Sequence, residues 1–233
     1  MKNILLFAAL SILMPSLSFA EDIQKKGYIE GGAGLATGNT EKSINLKGAL
    51  NSYYNRFNNQ ISADIAREEK NNNDKTAYKL NDKLKYQIST DYYGFGEAEY
   101  NHNKLSGMNH RETGIAGIGY NLVNKEKVKL ATELGVGGRE TSYTGNLRDE
   151  SSALAKIGEN LDWEVYNNIM FNNNTYMAFT DSNTQTTSDN SLKTFVADNV
   201  YVKAGFNVEN NSKVPDGIKK TDTITSLGAG YQF

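Results

Sequence analysis

The sequence predicts an all-β protein: a transmembrane, antiparallel, up-and-down β-barrel of twelve strands, or of ten or fourteen if one hairpin is read differently. Three observations carry this. Segments of about ten residues, in which apolar and polar side chains alternate, recur between clusters of Asn, Ser, Thr and Gly. Beyond residue 20 no run approaches the about 18 consecutive apolar residues that a membrane helix needs. Proline, which removes a ladder donor, occurs only twice, and Pro215 lies in a polar stretch.

The first element is an export signal. Lys2 is a short basic start, Ile4 to Met14 is apolar but too short to span a bilayer, and Ser18-Phe19-Ala20 is a small-x-small cleavage site. Residues 1–20 therefore read as a signal peptide, leaving 21–233 as one barrel domain. Glu21, not Cys, follows the site, so no lipid is expected on the mature amino terminus.

The strands follow at 27–37, 42–54, 60–70, 76–88, 92–102, 111–121, 128–142, 149–164, 169–179, 190–197, 200–210 and 221–233. Short connections at 56–59, 89–91, 123–127, 165–168 and 198–199 alternate with mostly longer ones at 71–75, 103–110, 143–148, 180–189 and 211–220, rich in Asn, Ser, Thr and Gly. Short periplasmic turns and longer external loops are the pattern of an outer-membrane barrel. The hairpin Gly38-Asn39-Thr40-Glu41 departs from that length rule. No exact internal repeat stands out.

A strand sends alternate side chains to opposite faces, so parity separates lipid from lumen. In the fourth strand Tyr78, Leu80, Leu84, Tyr86 and Ile88 oppose Lys79, Asn81, Lys83, Lys85 and Gln87. In the seventh, Val128, Leu130, Leu134 and Val136 oppose Lys129, Glu133 and Arg139. In the eleventh, Val200, Val202, Phe206 and Val208 oppose Lys203, Asn207 and Glu209. Two carboxylates break the pattern: Asp82 and Glu159 fall on the apolar parity of their strands. A β-bulge that shifts parity is the favoured reading of both, with an interface the alternative.

The composition fits a barrel with a polar inside. Basic and acidic residues nearly balance, 25 against 27, which argues against nucleic acid as a partner. Cysteine is absent, so no disulfide staples an exported chain. The expected lumen-lining set is Lys47, Asp64, Lys79, Lys83, Lys85, Glu97, Glu99, Lys129, Glu133, Lys156 and Lys203. It reads either as a network of paired charges that fills the lumen or as the wall of a channel for small polar solutes. Eight strands leave an interior just filled by side chains and sixteen leave an aqueous channel, so twelve predict a narrow lumen.

Other chemistry has weaker support. His102 and His110 border the third external loop, where barrel hydrolases can carry catalytic groups, with Ser106, Glu99 and Glu112 as candidate partners. Their spacing is not diagnostic and no acidic or Cys cluster completes a metal site, so no enzyme, metal or cofactor is expected. The tract Arg67-Glu68-Glu69-Lys70 to Lys75 reads as a solvated hairpin tip able to contact lipopolysaccharide.

The last strand ends Tyr231-Gln232-Phe233, with both aromatics on the parity of Thr223, Thr225, Leu227 and Ala229. That ending resembles the terminal strand of bacterial outer-membrane barrels, where it acts as an assembly signal. Further matches are Gly38-Asn39-Thr40, Gly117-x-Gly119-Tyr120, Leu134-Gly135 and Pro215-x-Gly217-x-x-x-Thr221-Asp222-Thr223. Together they resemble the YdiY-like salt-induced outer-membrane proteins, a family without an established activity. The resemblance implies a monomeric outer-membrane barrel inserted by the barrel-assembly machinery, in contact with outer-membrane lipid and lipopolysaccharide and linked to envelope stress. It implies no catalytic residues.

Overall fold

The computed structural model describes residues 24–38, 40–70, 73–104, 107–144, 149–214 and 216–233. The expected signal peptide lies outside them, as do Asn39, Ser106 and Pro215 of the turns discussed above. Twelve strands form among the described residues: β1 (Gln24–Thr37), β2 (Lys42–Tyr54), β3 (Phe57–Lys70), β4 (Asn73–Gln87), β5 (Tyr92–Asn103), β6 (Met108–Asn124), β7 (Val128–Tyr143), β8 (Glu150–Tyr166), β9 (Ile169–Thr180), β10 (Thr184–Phe195), β11 (Val200–Asn211) and β12 (Thr221–Gln232). Each pairs antiparallel with its neighbours in sequence, and β12 pairs back to β1, closing a barrel. Closure satisfies every ladder without leaving an edge, which the hydrocarbon layer requires. The seam is sealed beyond the ladder by Gly27 N–H to Phe233 O and Phe233 N–H to Gly27 O, both 2.8 Å.

One parity class faces out. Leu35, Leu46, Ile65, Leu134, Val136, Val202 and Leu227 are all exposed on the outer surface, as a lipid-facing band demands. Aromatic pairs rim that band at both ends. Phe57 packs on Tyr86 at 5.0 Å and Tyr92 on Tyr120 at 4.8 Å beside the short turns. Tyr78 stacks on His102 at 4.6 Å toward the other rim.

Two expectations need correction. The span 180–189 is not a long loop. Strand β10 begins at Thr184, leaving only 181–183 as the turn, and its next connection widens to 196–199. The alternation that marks other strands is missing here because the outward residues Thr184, Thr186, Ser188 and Asn190 are polar. The bulge reading of Asp82 and Glu159 also fails. Register shifts occur at Asn101/Asn103, Met108/His110, Asn121/Val123 and Glu164/Tyr166, and none flanks either carboxylate. Both sit on the outer face in unbroken ladders. Asp82 lies midway between the girdle residues Tyr78 and Tyr86, where Asn59 Nδ2 donates to its Oδ1 at 2.8 Å. Asn59 itself is 3 % exposed, so this outer polar pair is pressed flat against the wall.

Candidate functional site

The inward parity carries the charges. Strands β4, β5, β7 and β8 place Lys83, Glu97, Glu133 and Lys156 in one connected network. Lys83 Nζ reaches Glu133 Oε2 at 2.6 Å and Glu97 Oε2 at 3.4 Å. Lys156 reaches Glu97 at 2.9 Å, Lys85 reaches Glu133 at 3.3 Å, and Lys79 pairs with Glu99 at 3.0 Å. Neutral donors complete the carboxylates: Asn81 Nδ2 donates to Glu97 at 3.1 Å and the Tyr93 hydroxyl to Glu133 at 2.8 Å. The lysines also lie over rings, Lys83 over Phe95 and Lys156 over Tyr176, each at 4.7 Å, and Lys85 over Tyr93 at 4.6 Å. Links between β4 and β7 and between β5 and β8 pass across the lumen rather than along the wall.

Glycine allows this layout. A Cβ on Gly119 would sit 2.1 Å from Tyr93 Cζ, and one on Gly117 would sit 2.7 Å from Phe95 Cζ. The aromatic rings therefore lie flat on the neighbouring strand, and the Tyr93 hydroxyl is aimed at Glu133. Real Cβ atoms do not approach that closely, so these positions require Gly.

The same arrangement recurs on the opposite wall. The register aligns Gln87, Tyr93, Gly119 and Glu133 across β4 to β7. Six strands further round, Phe195, Tyr201, Gly230 and Glu30 align across β10, β11, β12 and β1. The Tyr201 hydroxyl donates to Glu30 at 3.0 Å, Lys203 pairs with Glu30, and Lys193 lies over the Tyr201 ring at 4.3 Å. A Cβ on Gly230 would meet Tyr201 Cζ at 2.4 Å, as Gly119 would meet Tyr93. The repeat is visible in sequence once the register is known. Gly117-x-Gly119-Tyr120-Asn121 corresponds to Gly228-x-Gly230-Tyr231-Gln232, and Glu133-x-Gly135-x-Gly137 to Glu30-x-Gly32-x-Gly34. Even the steric role repeats: a Cβ on Gly117 would strike the Leu134 carbonyl, and one on Gly228 the Gly31 carbonyl, each one residue after the glutamate. The barrel thus carries a degenerate two-fold repeat of a Tyr–Glu–Lys module near the end that carries the short turns.

All eleven residues expected in the lumen lie on the inward parity. Besides those already placed, Glu30, Lys47, Asp64 and Lys79 form a cross-strand row of alternating charge over β1 to β4. Lys129 stands exposed opposite Asp162 at the short-turn mouth. Glu30 was not singled out from the sequence, and neither were Tyr93 and Tyr201, the tyrosine partners of the two glutamates. His102 and His110 face outward. His102 stacks on Tyr78, and His110 lies parallel to Tyr100 at 6.1 Å. Glu112 faces outward with them while Glu99 is inside, held by Lys79, so the candidate rim residues that are described do not come together, and Ser106 lies outside the described residues.

The degree of filling follows from burial. Tyr201 is 0 %, Glu133 2 % and Lys83 9 % exposed, although all three project into the lumen. An open aqueous channel would leave such side chains wet. Beyond this level, toward the rim opposite the short turns, a cavity of about 130 Å³ opens among β3, β6, β11, β12 and residues of the connection between β11 and β12, lined by Glu68, Arg111, Glu209, Lys213 and Asp222 among others. A second void of about 10 Å³ lies between Glu97, Arg139, Lys156 and Tyr176.

A closed twelve-strand barrel with an apolar belt, two aromatic girdles and a charged lumen defines an outer-membrane β-barrel, and that fold implies an outer-membrane location. Residues 29–233 match the family described as "Protein of unknown function, DUF481", and the chain belongs to that family. It is 28 % identical over 146 residues to the uncharacterized protein YdiY of Escherichia coli (strain K12), a match covering 62 % of this chain and 57 % of that protein. The match thus spans little more than half of the relative's length. Among solved structures, the NanC porin superposes with a TM-score of 0.61 at 6 % identity, covering 87 % of this chain and 98 % of that one. The KdgM porin gives 0.52 at 12 % identity, covering 88 % and 99 %. The translocator domain of the autotransporter NalP from Neisseria meningitidis gives 0.50 at 12 % identity, covering 98 % and 95 %. At these identities the likeness concerns the fold.

Proposed function

We propose that the protein is a non-enzymatic outer-membrane barrel whose lumen is held closed by paired charges at its periplasmic end and passes small polar solutes only when that pairing breaks. The burial of Glu133 and Lys83 inside a twelve-strand lumen carries this reading. Paired charges tolerate burial because each carboxylate keeps a cation and a neutral donor, and losing one partner leaves a costly unpaired charge. Stress-linked conditions that perturb those pairs would be the occasion for opening. The likeness to porins supports a lumen that can conduct, and the filled cross-section supports a closed resting state.

In this reading residues 1–20 are a signal peptide removed on export, and Tyr231 and Phe233 present the terminal strand to the barrel-assembly machinery. The barrel works as a monomer in contact with lipid and lipopolysaccharide. Liposome swelling tests the closed lumen. Vesicles holding the wild-type barrel should take up small sugars no faster than empty vesicles, and a Glu30→Gln/Glu133→Gln double variant should take them up faster. Rapid uptake through the wild-type barrel would contradict closure.

A further inference from the structure

The paired-charge description fails at one place. Arg111 on β6 and Arg139 on β7 project inward on adjacent strands, diagonal to each other across the Arg111↔Thr141 and Thr113↔Arg139 pairs. Neither belongs to an ion pair among the described residues, in contrast to Lys79, Lys83, Lys85, Lys156 and Lys203. Arg139 Nε donates only to Thr113 Oγ1, at 3.4 Å. Arg111 is 7 % exposed, its Nη1 donates to Gln185 Oε1 at 3.3 Å, and its buried Nε finds no acceptor. A guanidinium offers five donors in a rigid fork, so a buried one this poorly satisfied is expensive unless something supplies acceptors.

Arg111 also lines the cavity of about 130 Å³ near the rim opposite the short turns. A water occupies about 30 Å³ in the liquid, so the space suits a small solute with its water. Lys213 and Lys220 line the same cavity and are likewise in no ion pair among the described residues. Two of the carboxylates there are already engaged by the wall. Glu68 accepts from Thr40 Oγ1 and Asn103 Nδ2, each at 3.0 Å, and Glu209 accepts from Asn211 Nδ2 at 3.0 Å. Asp222 lines the cavity too, so four cations, Arg111, Lys213, Lys219 and Lys220, stand beside three carboxylates there.

We infer that Arg111, with Lys213 and Lys220, forms a binding site for a small oxyanion, carboxylate or phosphate, entering from the rim opposite the short turns. The planar fork of Arg111 matches either group, and the lysines supply charge at the mouth. The site stands above the charged constriction and does not depend on whether solute crosses it, so its occupancy is read without conductance.

Equilibrium dialysis of inorganic phosphate and of acetate against the refolded full barrel tests the site, with heat-dependent gel mobility as the check that each variant is folded. Saturable binding of at least one anion at one site per barrel is expected, with no binding of glycerol. Arg111→Gln should weaken it about tenfold or more, as loss of a charge-assisted fork implies. Arg111→Lys should lie between, and Lys42→Gln, on the outer surface, should leave it unchanged. A folded wild-type barrel that binds neither anion, binds glycerol equally well, or binds an anion with unchanged affinity after Arg111→Gln would overturn the site. A barrel that conducts freely in bilayers yet binds as described would overturn the closed-lumen reading alone.

Discussion

Tyr93 and Glu133 illustrate how single positions set the lumen. The Tyr93 ring fits only because Gly119 beneath it has no side chain, and its hydroxyl then reaches Glu133. Gly119→Ala should displace the ring and cost about 1–3 kcal/mol, as overpacking does. Gly230→Ala should do the same to Tyr201 on the other wall. Gly96→Ala is the control, since a Cβ there meets nothing within 4 Å, and it should stay within about 0.5 kcal/mol of wild type. Urea unfolding in lipid vesicles measures all three. Glu133→Gln should cost more, roughly 3–5 kcal/mol, because it strips a buried lysine pair of its shared carboxylate. Glu133 and the lysines around it were legible from parity alone, because an inward lysine or glutamate breaks an apolar alternation, whereas Glu30, among the glycines of β1, was not. Their partners were not. Lys83 and Glu133 are fifty positions apart and meet only across a closed barrel. Tyr93 and Tyr201 carry no charge to mark them as inward, and the two Gly-x-Gly-Tyr and two Glu-x-Gly-x-Gly segments become a repeat only when the register aligns them.

At the scale of strands, alternation located eleven of the twelve well and placed β10 several residues late. Periodicity reports a strand through contrast between its faces, and β10 has little. Thr184, Thr186, Ser188 and Asn190 face outward opposite Gln185, Thr187 and Asp189. This polar outer stripe continues onto β9. Asn173 Nδ2 donates to Asn190 Oδ1 at 2.8 Å, and the hydroxyls of Thr175 and Ser188 are 2.9 Å apart. Mutual hydrogen bonding lets these groups face lipid without unpaired donors. Glu159 on β8 stands beside Thr175 and is exposed, with no such cover. A carboxylate on a lipid face is destabilising, though less so than the about 2–4 kcal/mol of Lys or Arg. Glu159→Leu should therefore stabilise the barrel by on the order of 1 kcal/mol, read as a raised urea midpoint in vesicles. A lowered midpoint would show that protein rather than lipid covers this face.

Over the whole molecule, closure is the organising event. Residues of β1 supply Glu30 to a module whose tyrosine lies on β11, so half of the lumen network exists only after β12 has joined β1. The Phe233 ring covers Gly27 at that seam, where a Cβ would fall 2.7 Å from Phe233 Cε2 and 2.9 Å from the Ala49 carbonyl. Gly27→Val should reduce the heat-modifiable, folded fraction several-fold, and deletion of Phe233 should reduce recovery in the outer membrane. Equal recovery in both variants would remove the seam from the account. The most direct measurement of the central claim, that opposed charge modules close the lumen, is single-channel conductance in planar bilayers. The account predicts no stable steps for the wild-type barrel at low or high salt, and discrete steps for the Glu30→Gln/Glu133→Gln variant. Stable, porin-sized steps from the wild-type protein, unchanged in the double variant, would contradict it.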